Sequence, residues 1–399
     1  MRVAWYSPVP PDRSGISDYS ELILPALRAR LDVVPAARGD DPRTDLCLYH
    51  VGNNPESHDW IVEALRRQPG VVVLHDFVLH HLVAGMTLGR GDWQGYLAAM
   101  ERAEGLVGRL LGQAFLEGRL PPIWETRPED FPLAEEVLEL ATGLIVHSRY
   151  VEERARELGY AGPVWRIPHA AWTPPALEAE HVEGTPLIGA FGNLNPSKRV
   201  PELLRAFSSL RQGRPEARLL LVGGVSGRYE LPTLPEGVEH IDYVDEDRLW
   251  RLMAACDVHV ALRYPTMGET SGSAIRSLSL AKPLVVSEIG WFAELPDEVA
   301  LKVPMDERET DVLAGALELA ADNAPALGAA ARAYAQGELG VENVAGLYAA
   351  ALEEAAGGEA VSDAVVREVA EAAAAVGIGP DDPQAAEIAR RLAEAGIAP

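Results

Sequence analysis

Cysteine is nearly absent from this chain: only Cys47 and Cys256 occur, far apart and each inside an apolar run. Two isolated thiols exclude a disulfide framework and suit buried free cysteines better than a metal centre. Lysine is almost as scarce, with Lys198, Lys282 and Lys302 the only three, so the positive charge is carried by arginine. No apolar stretch approaches the roughly 18 to 20 uninterrupted residues that cross a bilayer. The opening MRVAWYSPVPP reads as a strand and a turn and lacks a charged leader with an apolar h-region, so a cytoplasmic location is expected, with peripheral membrane contact left open. An excess of positive charge is missing too. A formal net charge of −25 argues against a nucleic-acid or anionic-membrane surface, which needs dispersed Lys and Arg, so any phosphate ligand must be held by a local positive pocket. Neither a GxSxG elbow, an HExxH helix nor a P-loop occurs, which removes support for acyl transfer, zinc peptidase and NTPase chemistry. LLLVGGVSGR lacks the full GxGxxG spacing, and NAD binding is a weak competitor.

What is present is a regular alternation. With 399 residues, 48% of them hydrophobic, two domains of roughly 150 to 200 residues are expected. Short runs rich in Val, Ile and Leu (RVAWY, DLCLYH, VVVLH, GLIVH, PVWRIP) read as buried strands separated by helix-period segments such as YSELILPALRARL. That alternation predicts an α/β fold with a parallel sheet. Residues 173–186, TPPALEAEHVEGTP, carry prolines and charge without periodicity and are expected as a linker. The pattern then restarts with PLIGAF, ARLLLVGG, VEHIDYV, DVHVALRY, PLVVSE and VALKV. The expected organisation is a first domain over 1–172, the linker, a second domain over 187–340, a crossover helix over 341–357 and a helical tail of open role over 358–399. Residues 77–135 exceed a simple connection, and an insertion of that kind shapes a pocket or lid.

Ligands of parallel α/β sheets bind outside the carboxyl ends of the strands, and two loops there are unusually polar. GNLNPSKR, 192–199, follows PLIGAF and leads into the helical VPELLRAF. A helix start offers free N–H groups and partial positive charge, and Lys198 adds a full charge, which suits a pyrophosphate. A helix capped by Ser197 with an exposed basic turn is the alternative. RYPTMGETSGSAIRSLSL follows DVHVAL and supplies Arg263, Glu269, the small turn Thr270, Ser271 and Gly272, and Arg276 on the next helix. A glycine-bracketed hydroxyl turn lets the backbone approach an oxyanion closely.

With these loops, the order of PPDRSGISDYS, HVGNN, VVLHD, IVHSRYV, FGNLNPSKRVPELLRAF, LLLVGG and KPLVVSEIGWFAELP over residues 1 to 355 resembles the retaining glycosyltransferases of family 4, glycosyl transferases group 1. The resemblance implies the GT-B architecture: two Rossmann-like doubly wound domains facing a central cleft. It also implies a hexosyltransferase type of enzyme that is metal-independent. Its co-substrate is a nucleotide-diphosphate sugar of UDP or GDP type, on the second domain, and its acceptor is a glycan, lipid or small molecule on the first. By the same resemblance Lys198 contacts the diphosphate, Gly15 approaches it from the first domain, Glu269 holds the donor near its hydroxyls, and Tyr243 and Val244 lie at the nucleotide base. The family's loop has Arg where this chain has Asn193, so the second positive charge falls to Arg199 or Arg263. Its second glutamate is missing: Ser277 stands eight after Glu269, and the register of Lys282 and Pro283 puts Arg276 there, to contact phosphate or to pair with Glu269. This broken pair keeps a non-catalytic sugar-nucleotide-binding or scaffold protein, or a sugar-nucleotide epimerase, as alternatives.

In the first domain, the loop at 10–15 precedes a helix with Ser17 or Asp18 available as its cap. His75 and Asp76 end the strand VVVLHD. An imidazole there suits a sugar hydroxyl or proton movement, and the resemblance makes His75 a catalytic candidate with Lys198 and Glu269. Asn53 and Asn54 offer amides to an acceptor, or form a turn with left-handed asparagines. His80 and His81 read as surface, and His147 with Arg149 as structural. Asp245, Glu246 and Asp247 resemble a metal-binding DxD string but precede a helix, where acidic residues cap the N-terminus; no metal is invoked.

Overall fold

A computed structural model of the chain describes residues 1–12, 14–227, 229–357, 359–379 and 382–394. Two compact units divide it: Met1–Ile167 with Ala345–Pro399, and Pro168–Val344.

The first unit is built on a six-stranded parallel sheet in the order β2-β1-β3-β4-β5-β6. Its strands are β1 (Arg2–Tyr6), β2 (Asp32–Ala36), β3 (Leu46–Val51), β4 (Gly70–Leu74), β5 (Ala141–Val146) and β6 (Val164–Arg166). β4 is buried at every position, as an unbroken Val and Leu run must be when helices cover both faces. β2 was not expected, because Pro35 interrupts its apolar text. It lies at the sheet edge, the place where a strand tolerates a residue without an N–H. The insertion at 77–135 forms helices His80–Thr87, Trp93–Leu116 and Ile123–Thr126. They enclose a small core of their own from Ala84, Tyr96, Met100, Ile123, Phe131 and Leu133.

The second unit repeats the plan with a parallel sheet in the order β12-β11-β10-β7-β8-β9. Here the strands are β7 (Leu187–Phe191), β8 (Arg218–Val222), β9 (Val238–Ile241), β10 (Val258–Ala261), β11 (Leu284–Ser287) and β12 (Leu301–Val303). The order reverses around β7, whose neighbours are β8 and β10. Such a switch point opens a crevice at the strand ends, so the loops after β7 and β10 are where a ligand site is built. Residues 173–186 carry no helix or strand and lie inside the second unit.

The helix Val341–Gly357 takes the chain back into the first unit, where Tyr348 is fully buried and shares a 3.0 Å hydrogen bond with Tyr19. Two further helices follow, Glu359–Ala375 and Pro383–Glu394. Cys47 and Cys256 are both buried free thiols. No helix among the described residues is long and apolar enough to cross a membrane.

Candidate functional site

In the second unit the two polar loops meet. β7 and β10 are paired, and the loops that leave them are stitched by a 2.8 Å bond from Tyr264 N–H to the Ser197 carbonyl. Arg263 adds a second stitch, donating from Nη1 to Ser197 Oγ at 3.0 Å, while its own N–H donates to Ser287 Oγ at 2.8 Å. Its guanidinium pairs with Glu269 at 2.6 Å. The other oxygen of Glu269 accepts from Met267 N–H at 2.7 Å and from Thr266 Oγ1 at 3.1 Å. Glu269 thereby ties its own loop into a fixed turn and orients Arg263 at once.

Lys198 ends a short 3-10 turn, Pro196–Lys198, whose cap is Asn195. Gly192 leads into this turn. Its φ of 101° is a left-handed value, and a Cβ there would lie 3.5 Å from Lys198 Nζ. The ammonium donates to the Phe191 carbonyl at 3.4 Å, and the lysine stem lines a small apolar hollow with Leu194, Val200 and Val260. Burial there, with the Arg263 charge nearby, pushes Lys198 down to about 7 against the opposing pull of Glu269. The cradle thus holds one fixed cation, one carboxylate and one amine poised near neutrality.

Several expected residues take other partners. Ser197 does not cap the helix Val200–Gly213. Its N-cap position is Arg199, in a left-handed conformation at φ 54°, with no side-chain cap among the described residues. Arg199 forms a bidentate pair with the buried Glu309 and lies 3.2 Å from Glu202, so its charge is already matched. Arg276 does not pair with Glu269. Its guanidinium sits 3.9 Å over the Trp172 ring and reaches Glu246 at 3.4 Å. Ser277, the other residue at the place of the absent glutamate, faces the core and meets His259 Nδ1 at 2.6 Å. Thr270 continues the loop; Ser271 caps the helix Gly272–Ser279, accepting from Ala274 N–H at 3.3 Å, and Gly272 opens it. Asn193 is exposed between Gly192 and Leu194. Tyr243, 72% exposed, and the half-buried Val244 follow β9. Asp245 accepts from Arg248 N–H and is the cap of the helix Glu246–Ala255. No group of three or more His, Cys, Asp or Glu among the described residues is placed to hold a metal ion.

The first unit gathers its polar residues at the carboxyl ends of β3, β4 and β5. His75 is buried, with Nε2 2.9 Å from Nδ1 of His50, and its ring centroid is 5.0 Å from that of His147 and 5.3 Å from that of Tyr19. His50, His58 and His147 are buried as well. Desolvation pushes His58 and His147 each down to about 4 and His50 well below the usual imidazole value. His50 opens the HVGNN run, where nothing local marks it as a site residue. Only the parallel pairing of β3 with β4 sets it beside His75. His80 is not a surface residue: it is fully buried, between the Phe131 carbonyl at 2.8 Å and Tyr96 Oη at 2.9 Å.

Asp76 accepts from Asn53 N–H at 2.8 Å. The asparagines are not left-handed turn residues. Asn53 Oδ1 accepts from the N–H groups of His81 and Leu82, at 3.0 and 3.1 Å, at the start of the helix His80–Thr87. Asn54 caps the helix Pro55–Arg67 through Glu56 N–H at 3.0 Å, with φ of −90°. In the loop at 10–15 the cap is Ser14 rather than Ser17 or Asp18, and Gly15 opens the helix Gly15–Arg28. A Cβ at Gly15 would meet nothing within 4 Å.

Residues 185–322 match the family model for Glycosyl transferases group 1. Among solved structures, a sucrose-phosphate synthase from Thermosynechococcus elongatus superposes with a TM-score of 0.57 at 18% identity, over 89% of this chain and 98% of that one. HepE from Anabaena in complex with UDP-glucose gives 0.58 at 14% identity, over 89% and 100%. Its complex with UDP and glucose gives 0.55 with the same identity and coverage. The fold, two parallel six-stranded sheets flanked by helices, is that of GT-B glycosyltransferases. No curated protein matches the chain by sequence.

Proposed function

We propose that this protein is a retaining glycosyltransferase of family 4 that moves a hexose-type sugar from a nucleotide-diphosphate sugar to a hydroxyl of a glycan, lipid or small molecule. The observation that carries the reading is the cradle of Lys198, Arg263 and Glu269 at the paired ends of β7 and β10, inside the segment that matches the group 1 model. Departure of the donor's diphosphate leaves negative charge on its oxygens and an oxocarbenium-like sugar, so the reaction needs cations aimed at the leaving group. Arg263 is already oriented by Glu269 and Ser197, and Lys198 regains its proton when a diphosphate arrives. These two cations do the work a bound metal would do elsewhere, and transfer is expected to persist in EDTA. Glu269 shapes the donor side of the loop, Ser271 and Gly272 offer helix-end N–H groups, and Tyr243 seats the base. UDP is the first donor nucleotide to try, since HepE, of the same fold, is solved with UDP and UDP-glucose. The acceptor falls to the first unit, with His75 and Asp76 as its contacts.

The test combines binding and turnover. Thermal-shift measurements against UDP, GDP, ADP and TDP should show stabilisation by at least one diphosphate, lost in Lys198→Ala, because a ligand of the native state raises its stability by mass action. The matching nucleotide-sugar, offered to a panel of glycan, lipid and small-molecule acceptors, should give a product with the donor's anomeric configuration by NMR. Tight binding without turnover across that panel would favour a scaffold. An isomerised sugar without acceptor would favour an epimerase.

A further inference from the structure

Among the described residues, the non-glycine positions with a left-handed backbone are Leu133, Arg199 and Ala281, and Arg199 stands directly after Lys198. At φ 54° and ψ 36° a side chain crowds its own backbone, where a glycine would sit without cost. Such a conformation persists only where its surroundings hold it. The guanidinium supplies the hold. Its Nε donates to Glu309 Oε1 at 3.0 Å and its Nη2 to the other oxygen of the same carboxylate, while its carbon lies 5.8 Å from the centre of the Tyr264 ring. Glu202 is also near, at 3.2 Å from both Arg199 and Arg205. But Glu202 belongs to the helix that Arg199 opens, so it moves with that helix. Glu309 belongs to another helix, Glu309–Asp322, which shares a core with the first through residues such as Phe207 and Leu313. It is buried as well, as a carboxylate is when a cation matches it. Glu309 is therefore the external anchor of residue 199.

The anchor matters because of what precedes it. Lys198 ends a 3-10 turn and Val200 begins an α-helix, and the reversal of hand at Arg199 keeps the turn from running straight into that helix. Across the reversal the two neighbouring side chains part: Lys198 reaches the Phe191 carbonyl and Arg199 reaches Glu309. A right-handed backbone at 199 would fuse turn and helix and carry Lys198 away from Phe191.

We propose that Glu309 is a positioning residue: by anchoring the Arg199 guanidinium it keeps the backbone at 199 left-handed and so aims Lys198 into the cradle. The aim of Lys198 is a property of the second unit alone; its effect on donor binding rests on the reading of Lys198 as the diphosphate contact.

Lysine is scarce enough in this chain to be watched directly. Carbon NMR spectra of the full chain labelled at lysine Cε contain signals from Lys198, Lys282 and Lys302 only, and Lys198→Met assigns the one that matters. Burial with Arg263 nearby holds Lys198 down to about 7, so its titration midpoint reports whether it still sits in the cradle. Two double variants make the test. Glu309→Met with Arg199→Gly and Glu309→Met with Arg199→Ala remove the same pair of charges and differ in whether residue 199 accepts a left-handed backbone. The glycine version should keep the midpoint within about half a pH unit of wild type, and the alanine version should raise it by about one pH unit or more, toward the ordinary lysine value of about 10.4. UDP should bind the glycine version about tenfold or more tightly than the alanine version. Equal midpoints in the two overturn the proposal. So does a glycine version whose Lys198 is released, a result that stands without the other variant. If the alanine version does not fold, Glu309→Met alone takes its place with the same expectation. The expected midpoints in a protein that binds no diphosphate would uphold the positioning and defeat the donor reading, whereas donor binding and transfer with equal midpoints would do the reverse.

Discussion

Lys198 is the residue on which the chemistry is most directly measurable. Held at about 7 by burial and by Arg263, it is largely neutral in the empty site at alkaline pH. A diphosphate favours the ammonium, so its binding must take up a proton wherever the empty site has lost one. At about pH 8.5 uptake should approach one proton per diphosphate, and at about pH 6 it should vanish. Calorimetry in buffers of different ionisation enthalpy reads this, and Lys198→Met should abolish the uptake and lower kcat/KM by roughly 100-fold. Gly15 gives a complementary prediction. Open space surrounds its missing Cβ, so Gly15→Ala should leave the melting temperature within about 1 °C, an exposed helix start tolerating alanine. The loops that hold these residues were legible because polar and glycine-rich text at the end of an apolar run is conspicuous. The partners were not. Nothing local reveals that Arg199 is claimed by Glu309, 110 positions away, or that Arg276 lies on Trp172.

At the scale of elements, the strands could be read because an unbroken Val, Ile and Leu run has few other uses in a parallel sheet. β2 escaped because Pro35 made it look like a loop, and only its edge position makes that proline harmless. Caps were harder. The expected Ser17 or Asp18, and Ser197, are each displaced from the true cap by two to four residues, since a run such as Ser-Gly-Ile-Ser-Asp offers several oxygens and the backbone selects one. The capping role of Asn53 spans the distance from the end of β3 to the helix His80–Thr87 and has no local signature. It also makes a prediction. Asn53→Ala should cost about 1 kcal/mol in urea unfolding, as loss of a cap does, with kcat per folded molecule kept within about threefold. A collapse of transfer at unchanged stability would instead make Asn53 an acceptor contact.

For the whole molecule, the buried imidazoles set the acid limit. Burial pushes His58 and His147 down to about 4 in the native state, against an ordinary value near 6.5 in the unfolded chain. Between those values the unfolded chain binds more protons, so the stability they contribute is complete above about pH 6.5 and is lost as the pH falls toward about 4. Urea midpoints measured from pH 7 to pH 4.5 should fall steadily, and His147→Gln should remove about one proton from that dependence. A midpoint that holds flat down to pH 4.5 would show these rings to be charged in place.

The bond between Tyr19 and Tyr348 joins positions 329 residues apart inside the same unit. The chain is therefore nested: a continuous inner body is translated whole between the two pieces of an outer one. On the ribosome the inner body can close first, while the outer sheet waits without the helix Val341–Gly357. A fragment ending at residue 167 is not a small version of the first unit but one that leaves Tyr19 with no phenol to meet.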